Sequence, residues 1–285
     1  MRWQAVRIIG RMPNAGRKTL LLSSRRRTRE SGVFVRDTPG VQSLERGLQL
    51  LRAYRPGITS LSNAELAERT GFPRASVSRL AATLVSAGFL DHEAGTGLYR
   101  LGAAFLGLGL AVRSGSAVLQ AALPFMREVS EGQRINVGLA LADDCDVVYL
   151  DSVRKSQLGI FRHIIAGTRL PMAETALGRA WLGGLAPAAR RQMLQVLALR
   201  YADRWGGIRR EVSGALAAVQ RDGYCSHDHR SGVMAVATPL VLAGHPLHAL
   251  NISYRAPAED QAHAAQCRYG ELLLQTAERI RRALP

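Results

Sequence analysis

Between Pro73 and Leu80 the chain carries Arg74, Ala75, Ser76, Ser78 and Arg79, a set of side chains fit to read a DNA duplex. A guanidinium fork grips guanine O6 and N7 bidentately, serine hydroxyls reach bases or phosphates, and Ala75 can meet a thymine methyl without blocking approach. A helix that starts here also aims its N-terminal amides at phosphate. Arg100 stands farther on, where a strand could touch the backbone of the same duplex, although exposed strand arginines are commonly just solvated.

A second group of reactive types, Cys225, His227, Asp228 and His229, offers less. Histidines two apart, with no further acid or thiol partner, make a poor metal site, and His227-Asp228-His229 reads as a solvated loop. There is no Gly-Xaa-Ser-Xaa-Gly elbow, no phosphate-cradling glycine loop and no separated base with an orienting partner. Catalytic residues, metal and cofactor are therefore not expected. Cys145, Cys225 and Cys267 are widely spaced and odd in number, which suggests neither disulfides nor zinc and fits a reducing cytoplasm.

The reading side chains need elements to hold them. Leu44, Leu48, Leu50 and Leu51 recur at helical spacing before Pro56-Gly57 ends the pattern. Ser62-Asn63-Ala64-Glu65 is a capping-box signature, so a second helix is predicted over Asn63 to Thr70. Gly71 suits a left-handed turn and Pro73 the first position of a third helix. In that helix Val77, Leu80, Ala81 and Leu84 share one face, which leaves Arg74, Ala75, Ser76, Ser78 and Arg79 outward or sideways. Gly88 ends it, and Phe89 to Glu93 and Leu98 to Leu101 read as two strands around Gly95-Thr96-Gly97. Residues 39–102 thus form a winged helix-turn-helix.

Residues 103–119 read as an apolar linker helix broken at Gly107, Gly109 and Ser114-Gly115-Ser116, too hydrophobic to stay in water. It is expected to pack against a second copy, with capping of its own domain as the alternative. Residues 120–285 mix helices and strands. Strands are predicted near Asn136 to Leu141, Asp146 to Asp151, Leu158 to Ile164, Gly223 to Ser226, Gly232 to Pro239 and His248 to Tyr254, with helices between and a long one at the end. Hairpin-like links such as Asp143-Asp144 argue for antiparallel pairing. The fold class is mixed α/β (α+β): a twisted antiparallel sheet flanked by helices, behind the winged module. Asn251 and Ser253 alternate onto one face of the late strand, where a few polar groups in apolar surroundings would orient a small ligand.

At 285 residues and 47% hydrophobic, the chain supports two domains. Its net charge of +16 invites a nucleic-acid partner, yet residues 1–38 hold ten Arg or Lys against Glu30 and Asp37, half of the surplus. That stretch reads as a basic, disordered arm. The longest nearly apolar run, Gly102 to Val112, is too short for a bilayer core of about 30 Å, so no membrane is expected.

The run Val41 to Leu48, Glu65-Leu66-Ala67, Thr70 to Leu80, Leu84, Gly88 and Tyr99 to Gly102 together resemble the IclR-type (isocitrate lyase regulator) transcription factors. Gly167 to Met172, Thr175 to Ala180, Gly223-Tyr224, Gly232-Val233 and Ala237-Thr238-Pro239 are similar to successive landmarks of that family's effector domain. The resemblance spans residues 40 to 283. It implies a homodimer, or a dimer of dimers, that binds operator DNA and is controlled by a small organic, often aromatic, acid. It also implies Leu170, Ala176, Leu177, Asp228, Ala235, Asn251 and Ser253 as effector contacts. Arg162, if it faces inward, would grip a carboxylate with its guanidinium fork. Asn251 stands where serine is common in the family, and Cys225 to Ser231 is shorter and more charged than usual. Two other readings stay open: an enzyme with an accessory helix-turn-helix, and a metabolite-binding protein that merely contains a helical hairpin.

Overall fold

The computed structural model describes residues 40–55, 57–155, 164–229 and 232–284, with side chains for all of these except 228 and 229. The basic arm, Arg162 and all but the last residue of the strand expected over Leu158 to Ile164 lie outside the described residues. The chain divides into two compact units at Leu108 and Gly109.

The first unit contains α1 (Gln42–Leu51), β1 (Leu61–Ser62), α2 (Asn63–Thr70), α3 (Arg74–Ser86), β2 (Leu90–Glu93) and β3 (Leu98–Leu101). Local signals fix α2. Ser62 Oγ accepts the Glu65 amide at 3.3 Å while Glu65 Oε2 accepts the Ser62 amide at 2.8 Å, which satisfies two of the donors that a helix start leaves orphaned. Gly71 then turns left-handed at φ +71°, a conformation costly for a residue with a Cβ. Pro73 occupies the cap of α3 instead of its first helical position, with ψ 139°. Leu50, Leu61, Leu66, Val77, Ala81 and Leu90 are buried together as the core. Leu44 and Leu48, by contrast, are 63% and 53% exposed, because α1 buries its Gly47 and Leu50 side.

β2 and β3 form the expected hairpin, and the two-residue β1 adds an outer strand in the order β1-β3-β2. Tyr54 Oη donates to the Tyr99 carbonyl at 3.0 Å and fastens the end of the first helical segment to this wing. Gly102 closes the wing against the end of α3. A Cβ on it would stand 2.4 Å from the Gly88 carbonyl oxygen.

α4 (Ala104–Ser114) follows and buries none of its residues. Leu106, Leu108, Leu110 and Val112 are all exposed. Ser116 caps the next helix, α5 (Ala117–Gln133), by accepting the Leu119 amide at 3.2 Å, so Val118 and Leu119 belong to a buried core and not to the exposed stretch.

The second unit is built on β4 (Asn136–Asp143), β5 (Asp146–Arg154), β6 (Arg169–Pro171), β7 (Cys225–His229), β8 (Val233–Leu240) and β9 (His248–Arg255). They lie antiparallel in the order β6-β5-β4-β9-β8-β7. The helices are α6 (Ala176–Gly184), α7 (Pro187–Tyr201), α8 (Trp205–Asp222) and α9 (Glu259–Arg282). Alternation along each strand splits the sheet into two faces. Leu139, Leu150, Val236, Leu250 and Ile252 pack with Met126 of α5 and Leu273 and Ile280 of α9. Ala140, Val147, Tyr149 and Ala249 face the other way, with Leu177 and Leu182 of α6. Ala235 and Ala237 join them there against Ala176 and Ala180.

One irregularity breaks the alternation. Leu139 pairs with Asp151 and Ala140 with Tyr149, so Leu150 has no place opposite it in the ladder. Such a bulge reverses the side of every following residue on its strand.

Candidate nucleic-acid interface and ligand-binding face

Val77 and Ala81 are fully buried, and they seat α3 against α1 and α2. The opposite side is open: Arg74, Ala75, Ser78 and Arg79 are exposed and Ser76 partly so. The five side chains selected from the sequence therefore form one accessible surface at the start of a helix whose rotation is fixed by its core residues. Arg46 of α1 has its guanidinium 5.6 Å from the centre of the Phe72 ring, just before α3. Arg100 is on the wing but already engaged. Its Nη2 meets Glu93 Oε2 at 3.1 Å with both side chains about half exposed, a pairing of small net value that a phosphate could displace.

In the second unit, Leu170, Ala176, Leu177, Ala235, Asn251 and Ser253 all belong to the face of the sheet that α6 covers. Arg169 holds β6, and so Leu170, in place by donating to Asp146 Oδ2 from Nε at 3.2 Å and to Asp143. Thr175 caps α6, accepting the Gly178 amide at 3.2 Å and donating to the Pro171 carbonyl at 3.0 Å. Gly178 lets that helix start press onto the preceding turn, since a Cβ there would lie 2.2 Å from the Met172 carbonyl oxygen. Asn251 and Ser253 are 4% and 7% exposed. The Tyr149 hydroxyl donates to Asn251 Oδ1 at 3.2 Å. Burial pushes that hydroxyl up to about 12, so it stays a neutral donor.

Cys225 shares the face, with Sγ 3.4 Å from the Ala176 carbonyl oxygen. Burial pushes its thiol up to about 12, the opposite of what a nucleophile needs. Arg179 is 4% exposed, donates to the Ala173 carbonyl at 2.8 Å and to Glu211, and lies 3.2 Å from His227 Nδ1. It ties α6 to α8 as a structural clamp.

Two selected residues stand apart from these six in what can be described. Asp228 is in strand β7, not in a solvated loop, because Gly223 ends α8 at φ +82° and the chain pairs with β8 from Cys225 onward. Its register partner is Met234, whose own partner is Tyr254, whereas His227 aligns with Ala235 and Ser253. Asp228 is thus one residue out of phase, and His227 holds the matching position. Arg162 lies outside the described residues. Tyr149, Ser152, Arg154 and Asn136 were missed. Following β4 by twos from Gly138 finds Asn136, but the bulge at Leu150 hides Ser152 and Arg154 from any strict alternation started at Tyr149.

Among the described residues no three His, Cys, Asp or Glu side chains gather as a metal site, and no single helix is long and apolar enough to cross a membrane. The family model described as the IclR helix-turn-helix domain matches residues 43–94, and that described as the bacterial transcriptional regulator IclR C-terminal domain matches residues 111–282. The HTH-type transcriptional regulator TsaQ1/TsaQ2 of Comamonas testosteroni is 33% identical over 207 residues, covering 72% of this chain and 74% of its own. The crystal structure of an IclR family transcriptional regulator from Brucella abortus superposes with a TM-score of 0.79 at 32% identity, over 90% of this chain and 97% of that one. An IclR homolog from Microbacterium hydrocarbonoxydans, solved with 4-hydroxybenzoate, shares the fold with a TM-score of 0.64 at 22% identity, over 85% and 98% of the two chains.

Proposed function

The chain belongs to the IclR family of bacterial transcriptional regulators, and from that premise we propose that it reads operator DNA through α3 as a cytoplasmic homodimer, or a dimer of dimers, whose occupancy a small organic acid controls. The observation that carries this reading is the exposure of Arg74, Ala75, Ser78 and Arg79 on one side of a helix whose other side is sealed by Val77 and Ala81. Such a helix start can enter a major groove, with Arg79 on a base edge or phosphate and Arg100 on the backbone.

Dimerisation is supported by α4, which leaves Leu106, Leu108, Leu110 and Val112 in solvent, an apolar stripe that a second copy would cover. Two recognition helices would then read half-sites separated by about one or more helical turns. The effector face is supported by Asn251, Ser253 and the Tyr149 hydroxyl among Leu170, Ala176, Leu177 and Ala235. Binding there would shift the population of dimers whose spacing fits the operator. The relatives are regulators rather than enzymes, and the raised Cys225 thiol agrees with that.

A gel-shift titration of the full chain against its own upstream region, at two salt concentrations, tests the reading. Specific, salt-dependent retardation is the expected result. A chain that binds no segment of that region more tightly than bulk competitor DNA would overturn it.

A further inference from the structure

We propose that Arg154, on strand β5, is the group that anchors the carboxylate of an acidic effector on the α6-covered face of the sheet. The inference rests on reading that face as the effector site.

Strand register lays two rows of side chains across this face. Arg154 aligns with Asn136, Ser253, Ala235 and His227 in turn. The neighbouring row runs Ser152, Gly138, Asn251, Ala237 and Cys225. Asn251 and Ser253 of β9 thus stand at the centre of the two rows, with Asn136 and Gly138 on the side of Arg154 and Ala235 and Ala237 on the other. An acid held at Asn251 and Ser253 would have its carboxylate toward Arg154, two strands away at about 4.8 Å each.

Arg154 is suited to that end. It is partly buried, and its Nε donates to Ser152 Oγ at 3.1 Å, which sets the course of the side chain along the strand. A guanidinium keeps its charge in such surroundings and offers five N–H donors in a fixed fork. Burial depresses its pKa, and the Tyr149 hydroxyl works the other way. A planar fork matches a carboxylate with two parallel hydrogen bonds, a geometry that lysine lacks. The bulge at Leu150 is what turns Arg154 to this side, since without it Asp151 and Val153 would occupy these positions.

The test uses the full-length protein and four probes: benzoate, 4-hydroxybenzoate and their uncharged amides, each at millimolar concentration. Binding is read by calorimetry and by shift in melting temperature for the wild type and for Arg154→Gln, Arg154→Lys and Ala235→Val. Unliganded melting temperature and operator retardation verify that each variant folds. The expected result is that at least one acid binds the wild type well above its amide. Arg154→Gln should then weaken the acid about ten- to a hundred-fold, Arg154→Lys should retain part of the affinity, and Ala235→Val should weaken it by crowding the face. Acid binding that survives Arg154→Gln but is lost in Ala235→Val would overturn the role of Arg154 and leave the face as the effector site. Equal affinity for acid and amide would do the same. Absence of acid binding, or binding indifferent to Ala235→Val, would overturn both the anchor and the reading of the face.

Discussion

The hydroxyl of Tyr149 on β5 reaches Asn251 Oδ1 on β9 at 3.2 Å, and it does so across β4 because Gly138 lies between them. A Cβ on Gly138 would stand 2.3 Å from Tyr149 Cε1 and 2.7 Å from Asn251 Oδ1. Neither neighbour is free to retreat, since the tyrosine is buried under α6 and the asparagine is within the central strands. Gly138→Ala should destabilise the protein by about 1–3 kcal/mol through overpacking. Thermal unfolding followed by circular dichroism measures this. A Gly138→Ala, Tyr149→Ala double variant less destabilised than the sum of the singles would place the clash at that ring.

Arg79→Ala removes an exposed side chain from the open side of α3. Operator affinity should fall by about 1–3 kcal/mol if Arg79 reads a base, or evenly across sequences with a shallower salt slope if it holds phosphate. The melting temperature should not move. Unaltered operator affinity would remove α3 from the role of recognition helix.

Ser62→Ala deletes the side chain that accepts the Glu65 amide at 3.3 Å. The expected loss is about 1 kcal/mol, with Ser62→Asp close to wild type. Hydrogen exchange over Asn63–Thr70 gives the local reading, and unchanged protection there in the alanine variant would mean that the cap contributes little.

His248 is buried and its pKa is lowered from the ordinary 6.5 to about 4, chiefly by desolvation. Its Nδ1 lies 2.6 Å from the Pro246 carbonyl oxygen, which assigns the proton of the neutral ring to that nitrogen. The unfolded chain takes up a proton first as pH falls, so the contribution is complete above 6.5 and is lost toward 4. The whole effect is about 3 kcal/mol. Urea unfolding of the wild type and of His248→Asn, whose amide can donate to the same carbonyl, should diverge in pH dependence between those limits. Parallel curves would show that His248 titrates normally.

Leu106 and Leu110 lie one helical turn apart on the exposed side of α4. If a second copy covers them, replacing both with glutamate should shift sedimentation toward the monomer and weaken operator binding with it. A double variant that sediments like the wild type would move the dimer contact elsewhere.

What could be read from the sequence was what neighbouring residues settle among themselves. The Ser62 and Glu65 pair, the left-handed Gly71 and the period of Val77, Leu80, Ala81 and Leu84 each act within one or two turns, and they were enough to orient α3. Asn251 and Ser253 were legible because an unbroken strand alternates. The remainder depends on partners distant in sequence. Nothing in α1 says that Gly47 and Leu50 will be buried and Leu44 left in water, because its packing against α3 decides that. Asp228 was expected in a loop because its strand pairing is set by Met234, not by its neighbours. Arg154 was invisible because the ladder of β4, not the sequence of β5, skips Leu150.

That skipped residue gives the strand a spare position, a property that substitutions do not probe. Losing one codon at Leu150 would set Tyr149 and Asp151 in sequence opposite Ala140 and Leu139, so Ser152 and Arg154 would keep their side and Asp151 its pair with Arg113 at 2.7 Å. In descendants of such a gene, a deletion of this size would be absorbed at the bulge, at the expense of one leucine from the core and not of the side that Arg154 faces.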